Sequence, residues 1–301
     1  MRSIVSADIM MSQQFHTKSQ DMRGLCTYLL ITFGFSWAVG AMIWKTGGLG
    51  TPHALALMVV YMAGPALGAL VTAWRYQPRE IGQVLGLSVR PNLYWLWALV
   101  LPFVIVALSV LISMASPGVK LANPIAAFSA LVAAKGGATI PLSPVTLFWL
   151  QMLVGVPIGI AINAIVLLSE ELGWRGWLWW RWRPMGFWSG NLAIGFVWGV
   201  WHAPLVIMGF NYPGMPRTGP VWMVIFTMLL SPLIGWVRER GHSVFAASMF
   251  HGTMNAIAGL SFLFLSRVDM PWRGVVGLGG MIAMALLWIP LFVFQKRSTP
   301  G

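Results

Sequence analysis

Apolar residues in this chain run in long stretches with almost no charge, divided by short segments where Lys, Arg, Pro and Gly collect. Eight stretches approach the ~20 residues that carry a helix across a bilayer core. They are Cys26–Trp44, Pro52–Trp74, Leu93–Met114, Val145–Leu168, Asn191–Phe210, Val221–Val237, Val244–Leu265 and Val275–Phe294. Lipid offers no partner for backbone N–H and C=O groups, so these spans must be helical. The alternating polar and apolar pattern of a membrane β-barrel is absent. So is an internal repeat of the kind many transporters carry.

The expected fold is an all-α polytopic membrane protein with about eight transmembrane helices and a polar intramembrane site. Its expected organisation is a cytoplasmic polar tail over 1–25, then N-terminal transmembrane helices and a non-cytoplasmic loop over 26–144. A core holding the polar groups follows over 145–265, and a last helix with a short cytoplasmic tail over 266–301. The first segment carries Arg2, Asp8, Lys18, Asp21 and Arg23 and lacks a continuous apolar core, which suits a tail better than a signal peptide.

Composition sharpens the class. The chain is 58% hydrophobic and 9% charged, against about 25% charged in ordinary soluble domains. A net charge of +12 invites a nucleic-acid reading. The Lys and Arg residues, however, are spread between apolar segments and form no single patch, so nucleic acid is not an expected partner and the lipid bilayer is. With the N-terminus placed in the cytoplasm, thirteen Lys and Arg fall on the cytoplasmic side and six on the other. The positive-inside rule then puts both termini in the cytoplasm. A bacterial cytoplasmic membrane is the expected location, although no motif decides the source. Residues 115–144 form an outer loop with room for one short helix. Residues 172–188, rich in Trp and Arg, suit an interfacial segment at headgroup level. The single cysteine, Cys26, excludes an intramolecular disulfide and a Cys-based zinc site.

The polar side chains inside the spans carry the chemistry. Only seven acidic residues occur, and two of them, Glu170 and Glu171, end the fourth span. A carboxylate at membrane depth is costly and is usually kept for function. His202 lies in the fifth span, and His251 and Asn255 lie in the seventh. Asn163, in the fourth, fits packing. His251 and Asn255 are spaced i, i+4 and share one helix face; Glu171 and Arg175 are spaced likewise, as a salt bridge would be. Glu170 points about 100° away from Glu171 and is free for another task. Counted along their helices, Glu170 and His251 lie ~10 Å, and His202 ~16 Å, from the cytoplasmic ends. The three can meet in the cytoplasmic half of the bilayer.

A carboxylate in an apolar pocket can act as a general base near neutral pH. A histidine beside it can hold a water or pass a proton. A histidine and an amide on one face can donate to an oxyanion formed during acyl transfer. Other protease chemistries lack their residues: there is no His-Glu-x-x-His zinc motif, no Gly-x-Ser-x-Gly elbow, and Asp8, Asp21 and Asp269 lie outside the spans. No cofactor is expected. Zinc on Glu170, His202 and His251 is the lesser possibility, since two His and one Glu form a known catalytic set.

Three motifs resemble the CAAX-protease and bacteriocin-processing family of intramembrane proteases, typified by the Ras-converting enzyme. They are Glu170-Glu171-Leu-Gly-Trp-Arg175, Trp198-Gly-Val-Trp-His202 and His251-Gly-Thr-Met-Asn255. Order, spacing and placement on separate helices agree over about residues 145–260. Trp198 departs from the phenylalanine usual at the head of the second motif. The resemblance implies an endopeptidase in which Glu170 activates water, His202 helps hold it, His251 and Asn255 form the oxyanion site, and Glu171 and Arg175 brace the helix end. The implied substrate is a peptide or a membrane protein. The alternatives are a metal-dependent version of the protease, a non-catalytic immunity or scaffold protein, and a proton-coupled transporter.

Overall fold

The computed structural model describes residues 2–134, 142–266 and 274–296. The expectations placed on Lys135, Arg267, Asp269, Arg273 and Arg297 fall outside them. The chain is helical, with no strand among the described residues; one isolated bridge joins Leu121 to Leu265.

The N-terminal half holds α1 (Arg2–Lys45), α2 (Ala54–Tyr61), α3 (Ala63–Tyr76), the short α4 (Ile81–Leu85), α5 (Leu93–Ser113) and α6 (Pro124–Ala134). Helix α1 begins well before Cys26, and its apolar part covers Met22–Lys45. The second expected span is two helices, broken at Met62. Helix α6 is the short helix allowed for in the outer loop. Local chemistry starts several of these segments. The Asn92 side chain accepts from the Tyr94 N–H at 3.0 Å and caps α5. Ser143 accepts from Thr146 N–H at 3.1 Å, with Pro144 in the first turn of the next helix.

The second half begins with α7 (Pro144–Leu150), which runs through a π turn (Gln151–Gly155) into α8 (Val156–Glu171). A second π turn (Leu172–Leu178) leads to α9 (Trp179–Trp182) and a 3₁₀ turn (Arg183–Met185). Next come α10 (Phe187–Trp201), α11 (Ala203–Ile207), α12 (Gly219–Arg240) and α13 (Val244–Ile257). A 3₁₀ turn (Ala258–Leu263) and α14 (Leu278–Lys296) close the chain.

Among the described residues five helical runs are long and apolar enough to cross a membrane: Met22–Lys45, Ala54–Tyr76, Leu93–Ser113, Pro144–Met185 and Gly219–Arg240. Three of the expected spans are helical but broken or shorter. The fifth breaks at His202, because Pro204 has no N–H to continue the ladder. The seventh tightens to 3₁₀ after Ile257, and the eighth is α14. With its long apolar helices the protein is an integral membrane protein.

The segment after Glu171 differs from expectation. Trp174, Arg175, Trp177 and Leu178 are buried, so the first half of 172–188 packs into the protein interior and is not laid on its surface. The wide π turn lets it continue α8 inward, where the Tyr28 ring stacks on Trp177 at 4.8 Å.

Two close helix contacts fix the core. Gly195 and Gly199 of α10 lie on α12, where an added Cβ would stand 2.7 Å from Thr227 O and 2.5 Å from Val224 Cα. Gly252 of α13 lies on α8, where an added Cβ would collide with the Ala164 backbone nitrogen. Small residues of this kind let membrane helices approach backbone to backbone.

Candidate active site

Helix α8 carries Glu170 and Glu171 on its last turn, and the π turn that follows carries Arg175. Helix α10 carries Trp198 and ends at His202. Helix α13 carries His251 and, one turn on, Asn255. All of these but Glu171 and Arg175 line one cavity of about 570 Å³, whose wall is otherwise mostly apolar.

The two carboxylates have different partners. Glu171 is fully buried, and its Oε1 accepts from Arg175 Nη1 at 2.9 Å and from His251 Nδ1 at 2.9 Å. The i, i+4 pair is present, but Glu171 also ties α8 to α13. Glu170, also buried, accepts on Oε2 from the Trp198 indole N–H at 3.0 Å. Glu170 itself lines the cavity.

The histidines are oriented alike. His202 Nδ1 donates to the Trp198 carbonyl at 2.9 Å. A carbonyl only accepts, so Nδ1 carries the proton and Nε2 keeps its lone pair. His251 Nδ1 is likewise held, by the Glu171 carboxylate. Each ring therefore offers Nε2 for chemistry. The rings are boxed by aromatics: Trp201 stands edge-on to His202 at 4.7 Å and Phe210 lies parallel to it at 6.2 Å. Trp198 stands edge-on to His251 at 5.0 Å, and the Arg175 guanidinium lies over the Trp198 ring at 4.6 Å.

Trp198 is thus the common neighbour of Glu170, Arg175, His202 and His251. Sequence reasoning noted it only as a departure from phenylalanine. The available signal was its indole N–H, which a phenyl ring lacks and which a buried tryptophan normally pairs.

The helix break at His202 is held from outside this half of the chain. The Trp201 carbonyl accepts from the Tyr61 hydroxyl and from Trp37 Nε1, the latter at 3.2 Å. Leu55, Met58 and Met62 add the N-terminal half to the cavity wall. Asn163, read from sequence as packing, lines the cavity too. Asn255 lines it as an exposed side chain. Among the described residues no three His, Cys, Asp or Glu side chains are grouped to hold a metal ion.

Residues 141–257 match the family model described as type II CAAX prenyl endopeptidase, Rce1-like. Over this region the chain is similar to that family of prenyl endopeptidases. Every motif residue from Glu170 to Asn255 falls inside the match. Comparison with curated proteins yields no match.

Proposed function

We propose that the protein is an intramembrane endopeptidase that hydrolyses a peptide bond with a water activated by Glu170. One observation carries the reading: Glu170, His202 and His251, from separate helices, converge on a single apolar cavity. The Trp198 N–H holds one Glu170 oxygen, and the other takes a proton from water. The His202 Nε2 lone pair orients that water. Water oxygen attacks the peptide carbonyl, and the oxyanion is met by the Asn255 amide and by His251, whose ring Glu171 holds through Nδ1. Glu170 then returns its proton to the departing amine, so the balance is one water consumed and two peptide ends formed. The apolar wall keeps bulk water from the intermediate.

The substrate is a peptide or a membrane protein presented to the cavity from within the bilayer. Both termini lie in the cytoplasm of a bacterial cell, and the bond is cut in the cytoplasmic half of the membrane, a topology supported by the Lys and Arg bias. Alkaline phosphatase fused after residue 301 tests that placement, since enzyme activity from the fusion contradicts it.

The metal alternative has one observation in its favour. Metal-ligating histidines commonly donate their second ring nitrogen to a carboxylate, as His251 does to Glu171. Cleavage by detergent-purified protein, assayed together with metal content, separates the two. Full activity in chelator without bound metal supports glutamate chemistry, whereas stoichiometric zinc lost together with activity contradicts it.

A further inference from the structure

We infer that Asn163 is a substrate-binding residue, which takes a backbone N–H of the peptide about three residues from the bond that is cut. The inference rests on the endopeptidase reading and names a contact that reading lacks.

Asn163, Val166, Leu167 and Glu170 line the cavity together. Their spacing of three, one and three residues is that of one stripe on a helix. Seven residues of α-helix place Asn163 ~10 Å from Glu170 along the axis. An extended peptide covers that distance in about three residues at ~3.3 Å each.

The amide is already oriented. Asn163 Nδ2 donates to the Gly159 carbonyl at 2.8 Å. Only the nitrogen can face a carbonyl, so Oδ1 is turned away as an acceptor. Among the described residues nothing donates to it, and the cavity wall around it is mostly apolar. Asn163 is half-buried and its Oδ1 is not a sealed, unpaired atom, so the oxygen is open to a donor entering the cavity.

A substrate supplies one. A peptide drawn into the cavity in extended form has unpaired N–H groups, and lipid satisfies none of them. The facing helix closes the site from the other side. Gly252 brings α13 against Asn163 so closely that an added Cβ would stand 2.9 Å from the Asn163 carbonyl carbon. Asn255 follows one turn later on the same cavity wall. The two amides have complementary tasks: Asn255 donates to the oxyanion, and Asn163 accepts from the chain beyond it.

The test measures binding apart from chemistry. The probe is a farnesylated peptide ending in Cys-aliphatic-aliphatic-Met, titrated against full-length Glu170→Gln protein in detergent by tryptophan fluorescence. Each backbone N–H within four residues of the Cys–aliphatic bond is replaced in turn by an ester oxygen. One ester position is expected to weaken binding about tenfold, as loss of a ~1.4 kcal/mol hydrogen bond does. Adding Asn163→Leu is expected to weaken the all-amide peptide by a similar factor and to abolish the penalty of that same ester. Equal affinity for the all-amide peptide with and without Asn163→Leu, or an ester penalty of unchanged size in Asn163→Leu, overturns the proposal. The ester series on the protein that keeps Asn163 stands even where the variant folds poorly: no ester-sensitive position there also overturns it. Cleavage of the peptide by Glu170→Gln protein overturns the catalytic reading instead and leaves the binding result standing.

Discussion

At the scale of residues, the adjacent acids divide the work through their partners. Glu171 is a buried ion-pair member held by Arg175 and His251, while Glu170 takes the Trp198 N–H and lines the cavity. Removing one member of a buried ion pair strands the other charge and costs ~3–5 kcal/mol. Arg175→Leu is therefore expected to lower the thermal midpoint in detergent by several degrees or more, and an unchanged midpoint counts against the pair's burial. Trp198 makes the opposite kind of contribution. Trp198→Phe keeps an aromatic ring beside His251 but loses the N–H on Glu170. A hydrogen bond to a charged group is worth ~1.5–3 kcal/mol. Steady-state kinetics should show kcat/KM reduced about tenfold or more, with little change in thermal midpoint. Parent kinetics in Trp198→Phe would show that the bond does not position the base.

At the scale of elements, irregular helix geometry assembles the site. The π turn after Glu171 carries Arg175, whose guanidinium bonds Glu171, and the break before Ala203 leaves the Trp201 carbonyl free for Tyr61 and Trp37. Pro204→Ala restores an N–H and a helix-compatible backbone across the break. Activity is expected to fall more than tenfold with no loss of thermal stability, and full activity would show that the break does not place His202. These features mark the limit of what the sequence shows. Glu170, Glu171, Arg175, His202, His251 and Asn255 were legible because side-chain type and helical spacing are written in the chain. The Glu171–His251 bond was not, because sequence carries no distance between helices, and the i, i+4 arginine accounted for Glu171 already. The burial of Trp174 and Trp177 was not legible, because Trp beside Arg suits a protein interior as well as an interface. The eight apolar stretches were legible by length. The interruption at Met62 was not placed, although Pro65 follows it.

At the scale of the whole molecule, the matched region 141–257 does not complete the cavity by itself. Met58, Met62 and the Tyr61 hydroxyl come from the first half, and the Tyr28 ring packs on Trp177. A fragment of residues 141–301 is accordingly expected to show no cleavage and a collapsed thermal transition, whereas parent activity in the fragment would show that the first half is dispensable. The central claim concerns one proton acceptor. Glu170→Gln preserves size and still accepts the Trp198 N–H, but its amide cannot take a proton from water. Cleavage of a farnesylated CAAX peptide by the purified variant measures this most directly. The account predicts product at background level with the thermal midpoint of the parent; cleavage at a rate near the parent's would contradict it.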